Sequence, residues 1–169
     1  MNQKIVIELD SASIEKAIKA TEQYKKWLDQ KSKALAKRLA ELGATSASLG
    51  FAQAFYDGPN DVDIRIRSVP NGYVVSANGE AALFIEFGAG ITYSGVSHPE
   101  AAEYGMGPGT YPGKGHWDDP KGWYLPKAKQ NAAGDKHSYG NPAQMPMYEA
   151  RKTIEQNITE IVREVFASD

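Results

Sequence analysis

The 169 residues include no cysteine. Disulfide staples, cysteine nucleophiles, thiolate zinc sites and iron–sulfur clusters are therefore excluded together. The same absence suits a reducing compartment. No run of 18 apolar residues exists to span a bilayer, and the opening MNQKIVIELD lacks the apolar core of a signal peptide. These two absences give the expectation of a soluble, cytoplasmic chain. Excess charge of one sign is missing too. There are 19 Lys and Arg against 21 Asp and Glu, a net −2, which offers no bulk attraction to nucleic acid or to an anionic membrane. What remains is ordinary for a globular protein, with 41% hydrophobic and 24% charged residues. The length suits a single domain, residues 1–169, large enough to bury a real core.

Glycine and proline are unevenly spread. Residues 88–142 hold 11 of the 16 glycines, 6 of the 9 prolines and all three histidines. Such a composition ordinarily reads as disorder, yet Tyr93, Tyr104, Tyr111, Trp117, Trp123, Tyr124 and Tyr139 also lie here, and disordered segments are poor in aromatics. The stretch exceeds ordinary loop length. It reads as an irregular insertion that packs on something, a partner chain among the options.

Regular patterning surrounds it. Ile5, Ile7 and Leu9 alternate with polar neighbours as in a strand. Asp10 or Ser11 then caps a helix reaching Leu42, with Gly43 as its terminating glycine. The apolar stripe of this helix runs Ile14, Ile18, Thr21, Tyr24, Leu28, Leu35, Leu39 and Leu42. Its other face carries Lys16, Lys19, Lys25, Lys26, Lys31, Lys33, Lys37 and Arg38 against four acids. Three strands are expected next. Residues 46–56 alternate through Ala47, Leu49, Phe51 and Phe55, residues 62–66 through Val62, Ile64 and Ile66, and Pro70-Asn71-Gly72 turns into Tyr73, Val75 and Ala77. Residues 80–87 read as a short helix, and a second long helix runs from Met147 to Phe166, with Pro146 suited to its first turn. The fold class is α+β: an antiparallel β-meander packed against a long N-terminal helix and a C-terminal helix, with a long irregular Gly/Pro-rich insertion.

Familiar chemistry fails on spacing. Gly113-Lys114 is followed by Gly115 where a phosphate-binding loop needs a hydroxyl, and neither Gly88-Ala89-Gly90 nor Gly105-Met106-Gly107 continues into a dinucleotide fingerprint. Ser94 and Ser97 near His98 lack the strained elbow of a serine nucleophile. Asp118 and Asp119 are adjacent and cannot flank a substrate. A metal-dependent enzyme remains as an alternative, with His98, His116 and His137 as ligands beside Glu100, Glu103, Asp118 and Asp119. No rigid helical ligand spacing accompanies them, and histidines in a polar loop are more often surface residues. A third alternative is nucleic-acid binding on the lysine face, set against the plainer reading of a solvated amphipathic helix. Catalytic residues, a metal and a cofactor are accordingly all assigned as none.

The run Phe84-Ile85-Glu86-Phe87-Gly88-Ala89-Gly90 carries a resemblance. It is similar to the short hydrophobic–Glu–aromatic–Gly–Thr/Ala–Gly signature of the tailed-phage neck and tail-completion family, the gene-ten-like proteins of lambdoid-type siphophages. In that family a variable segment follows, then a proline-led segment opening the C-terminal helix. Here residues 141–150 (NPAQMPMYEA) fill that place, and residues 107–116 (GPGTYPGKGH) resemble the insertion of prophage members. The order of elements agrees from about residue 10 to residue 166, although the 91–141 insertion is longer than the common pattern. The resemblance implies a non-enzymatic virion assembly protein that forms a homo-oligomeric ring at the head–tail junction or upper tail end. It also implies neighbouring head-completion and tail proteins as partners, DNA passing through without specific binding, no membrane, and residence in the host cytoplasm during assembly. The residues it singles out for interface or motif roles are Phe84, Glu86, Phe87, Gly88, Gly90, Pro142, Met145 and Pro146. For Glu86 a local role, fixing a turn by accepting backbone amides, competes with a partner contact.

Overall fold

The computed structural model describes residues 10–56, 58–90, 98–106, 121–124 and 137–167. The strand expected at Ile5–Leu9, the residues Tyr93, Ser94, Ser97, Tyr111, His116, Trp117, Asp118 and Asp119, and the 107–116 run lie outside them. Within them the α+β class stands. The order is α1 (Ser11–Gln53), β1 (Asp63–Val69), β2 (Gly72–Asn78), α2 (Ala82–Phe87), β3 (Trp123–Tyr124), β4 (His137–Ser138) and α3 (Pro146–Ala167).

Asp10 caps α1 as its type predicts, its side chain accepting from the Ser13 amide at 2.9 Å. The other end departs from expectation. The helix runs 43 residues, straight through Gly43 and on to Gln53, so residues 46–53 are helical where a strand was expected. Ala40, Gly43, Ala47 and Phe51 are the buried positions, spaced three or four apart. Leu49 and Phe55, which supplied the apparent alternation, are exposed. The reason is tertiary. A Cβ at Gly43 would stand 2.7 Å from Cδ1 of Ile154, so the missing side chain admits the neighbouring helix. Chain ending at α1 is fixed instead by Asn60, whose Nδ2 donates to the Phe51 carbonyl at 2.7 Å.

The expected three-strand meander therefore reduces to one hairpin. β1 and β2 pair antiparallel with Ile64 opposite Ala77 and Ile66 opposite Val75. The two-residue connection is Pro70-Asn71, with Val69 facing Gly72 across it. The hairpin packs on α1. Asp61, just before it, accepts from the Glu80 and Ala81 amides at 2.8 and 2.9 Å and so ties the start of β1 to the entry of α2. A second two-stranded sheet pairs β3 with β4, Trp123 facing Ser138 and Tyr124 facing His137.

α3 runs antiparallel to α1. Gly50 lies beside Pro146, Gly43 beside Ile154, Arg38 pairs with Glu164, and Trp27 meets Phe166 edge-on at 5.7 Å. Ile161 and Val165 of α3 are buried, while Ile158 is exposed. The core gathers where four elements converge: Phe51 of α1, Ala81 and Ile85 at α2, Ile64 and Ala77 of the hairpin, and Met147 of α3.

Candidate functional site

The first turn of a helix leaves amides without intrahelical partners. At α3 the flanking residue is Met145, whose side chain has no capping oxygen, and which holds a left-handed backbone at φ 58°. Pro146 opens the helix without an N–H to satisfy. The next two amides, of Met147 and Tyr148, donate to Oε2 and Oε1 of Glu86 at 2.7 and 2.9 Å. The Glu149 amide closes the first helical bond onto the Met145 carbonyl at 2.9 Å. The first turn is thus fully accounted for, with a carboxylate from α2 doing what a local Ser or Asp does elsewhere. The positive end of the helix dipole favours the charge placed there.

Glu86 is buried and has one further partner. Nε2 of His98 lies 3.2 Å from its Oε1, and both side chains are almost fully enclosed. The Glu100 amide donates to Nδ1 of His98 at 3.0 Å. An acceptor at Nδ1 places the ring proton on Nε2, so His98 is the neutral tautomer donating to Glu86. Its ring packs against Phe87 at 4.5 Å and Tyr148 at 5.2 Å. At the rim Arg151 donates to Oε1 of Glu100 at 2.6 Å and sits over the Tyr148 ring at 5.1 Å. That hydrogen bond holds the Arg151 guanidinium above its usual range.

The remaining motif residues lock the same junction. Ala89 and Asn141 exchange both backbone hydrogen bonds at 2.9 Å, and the Gln144 amide donates to the Ile85 carbonyl at 2.9 Å. Asn141 is buried, and its Nδ2 donates to the Phe84 carbonyl at 2.8 Å and the Pro142 carbonyl at 3.2 Å. Gly88 has φ 76°, and a Cβ there would come within 2.7 Å of the Ala143 amide nitrogen, so glycine is required twice over. Gly90 shares the left-handed backbone at φ 79°.

All eight motif residues, Phe84, Glu86, Phe87, Gly88, Gly90, Pro142, Met145 and Pro146, therefore meet at one place. The sequence supplied Glu86 and the glycines but missed His98 as Glu86's partner and Asn141 as the junction's central amide. A helix opening on Met-Pro, with no capping side chain in front, was the one available sign that a remote acceptor was needed.

Beside the junction lies a cleft of about 310 Å³ lined by Phe51, Leu83, Phe87, Tyr104, Met147 and Tyr148, with Glu86, His98, Glu100 and Arg151 among its polar groups. Every buried side-chain nitrogen and oxygen among the described residues has a hydrogen-bond partner. Both nitrogens of His98 and both oxygens of Glu86 are engaged in hydrogen bonds within the junction. His137 packs between Tyr124 and Tyr139, at 4.8 and 4.7 Å. No three His, Asp or Glu gather as a metal set among the described residues. On the lysine face, Lys33 pairs with Asp29, Lys37 with Glu41 and Arg38 with Glu164. No helix among the described residues is long and apolar enough to cross a membrane.

Comparison with family models, with curated proteins and with solved structures finds no match to the chain.

Proposed function

We propose that this chain is a non-enzymatic structural subunit of a tailed-phage virion, a self-associating ring component of the head–tail junction or upper tail end through which DNA passes. One observation carries the reading. Two motifs separated by a long insertion, residues 84–90 and 141–150, close on each other through Glu86, Ala89 and Asn141. An ordered pair of short motifs gains weight as a resemblance when the two halves form one physical unit. The polar groups of that unit are spent on holding α2, the insertion's exit and α3 together, which suits a scaffold more than a reaction site. Its partners in this reading are further copies of itself and the neighbouring head-completion and tail proteins, met in the virion and in the host cytoplasm during assembly.

The reading is tested by mass spectrometry of particles purified from the phage or prophage that carries the reading frame. The chain is expected in intact virions at a low, fixed copy number relative to the major capsid protein. Its absence from purified, infectious particles overturns the proposal.

A further inference from the structure

The sequence places a strand pattern where the chain has no sheet to receive it. Ile5, Ile7 and Leu9 alternate with Lys4, Val6 and Glu8, and a strand satisfies its backbone by pairing with a neighbour. This segment leads through Asp10 straight into α1 at Ser11. Every strand among the described residues lies towards the other end of that helix. Ile64 and Ala77 of the hairpin pack on Phe51, which stands about 60 Å along α1 from Ser11. β4 ends just before Asn141, which pairs with Ala89 at the Glu86 junction. Were β1 to run straight back along α1, its far end at Val69 would be only about 17 Å nearer, leaving about 40 Å to Ser11. Residues 4–10 span at most about 25 Å when fully extended. The segment cannot reach a described strand of its own copy.

The hairpin offers what such a segment needs. It has two strands only, and among the described residues no backbone group pairs with the outer edge of β1, so a row of donors and acceptors stands open there. Along that strand Ile66 is 42% exposed. Arg65 pairs with Asp63 at 2.6 Å, whereas Arg67 forms no ion pair among the described residues.

We infer that residues 4–9 of one copy add to the β1 edge of a second copy as a third, parallel strand. The charges select the direction. In the parallel arrangement Lys4 lies beside Asp63 and Glu8 beside Arg67 on one face, while Ile5 and Ile7 lie beside Ile64 and Ile66 on the face towards α1. The antiparallel arrangement over the same residues sets Glu8 against Asp63 and Lys4 against Arg67, like charge against like. Strand and edge are different surfaces towards opposite ends of one helix, so the contact is head-to-tail and propagates into a ring or filament rather than stopping at a two-fold dimer. This inference rests on the ring reading for its biological meaning, but its test does not depend on virions.

The absence of cysteine allows a test by disulfide cross-linking of full-length single-cysteine variants. Val6→Cys and Arg65→Cys, side by side in the inferred pairing, are mixed at about 100 μM with oxidised glutathione as the oxidant. They are expected to cross-link at least about tenfold faster than Val6→Cys mixed with Ser76→Cys. Ser76 faces Arg65 across the hairpin, two strand spacings or about 10 Å from Val6, which is beyond disulfide reach. Glu8→Arg added to the Val6→Cys chain should slow the reaction about threefold, and Arg67→Glu added to the Arg65→Cys chain should restore it. A chain carrying both Val6→Cys and Arg65→Cys should form no intrachain disulfide at about 1 μM. Circular dichroism checks that each variant folds. Equal rates at Arg65 and Ser76, no cross-linking, no slowing by Glu8→Arg, or an intrachain disulfide overturns the inference. Such a result combined with virions that contain the chain removes the strand-and-edge contact and leaves the ring reading in place.

Discussion

Glu86 caps a helix that begins 60 residues further along the chain, its carboxylate accepting the Met147 amide at 2.7 Å. The bond joins the two halves of the motif across the whole insertion. The same carboxylate takes the Tyr148 amide and the His98 ring proton, so one side chain ties together the start of α3, the end of α2 and His98.

Replacing Glu86 by alanine strands two helix amides and a buried imidazole donor. Each unsatisfied buried donor costs about 1–3 kcal/mol, so Glu86→Ala is expected to lower unfolding free energy by about 3 kcal/mol or more. Glu86→Gln keeps one carbonyl oxygen and should cost less. Chemical denaturation of both variants checks this. A loss below about 0.5 kcal/mol for the alanine variant would show that the cap is not structural.

His98→Ala removes two hydrogen bonds and a ring packed on Phe87 and Tyr148. Cavity formation, the lost bond to Glu86 and the Glu100 amide left without its acceptor together predict a cost of about 2–4 kcal/mol. The natural chain, purified without a histidine tag, should show no zinc binding that depends on His98, since both of its ring nitrogens are occupied. Isothermal titration calorimetry decides the second point, and a 1:1 isotherm lost in His98→Ala would restore the metal-site alternative.

Gly88→Ala places a Cβ on a left-handed backbone and against the Ala143 amide. With ψ at 175° this backbone is essentially confined to glycine and costs another residue about 1–3 kcal/mol on its own, and the clash adds to it. Thermal unfolding should register the loss, whereas Gly105→Ala, left-handed at φ 64° but with open space around it, should show only the backbone part.

At Gly43 the obstacle is a single methyl. Gly43→Ala gains helix propensity of up to about 1 kcal/mol but meets Cδ1 of Ile154. Ile154→Val removes that atom. The alanine substitution should therefore be more favourable in the valine background, with a coupling of about 1 kcal/mol in a double-mutant cycle. Additive effects would mean that Ile154 simply rotates away.

Gly43 also shows why part of the fold was hidden in the sequence. The Asp10 cap, the Pro70-Asn71 hairpin and Pro146 at the opening of α3 were legible because each is decided within a few residues. Gly43 followed a clean apolar stripe and looked like a helix terminus, but what places a glycine there is Ile154 on another helix. Ala47, Leu49, Phe51 and Phe55 mimicked a strand by alternation, although only Ala47 and Phe51, four apart, are buried. The candidate site was legible in its residue types and invisible in its bonds. Glu86 and Gly88 stood out as a motif, but a cap reaching 61 residues to Met147 leaves no local periodicity, and nothing near His98 marked it as the carboxylate's partner.

The proposed ring subunit at the head–tail junction is put to the test by deleting this reading frame from the phage or prophage that carries it, inducing, and imaging the lysate by electron microscopy. DNA-filled heads lying apart from tails, or tails with a defective upper end, are expected, with joining restored by supplying the intact chain from a plasmid. Normal infectious particles in the deletion lysate would contradict it.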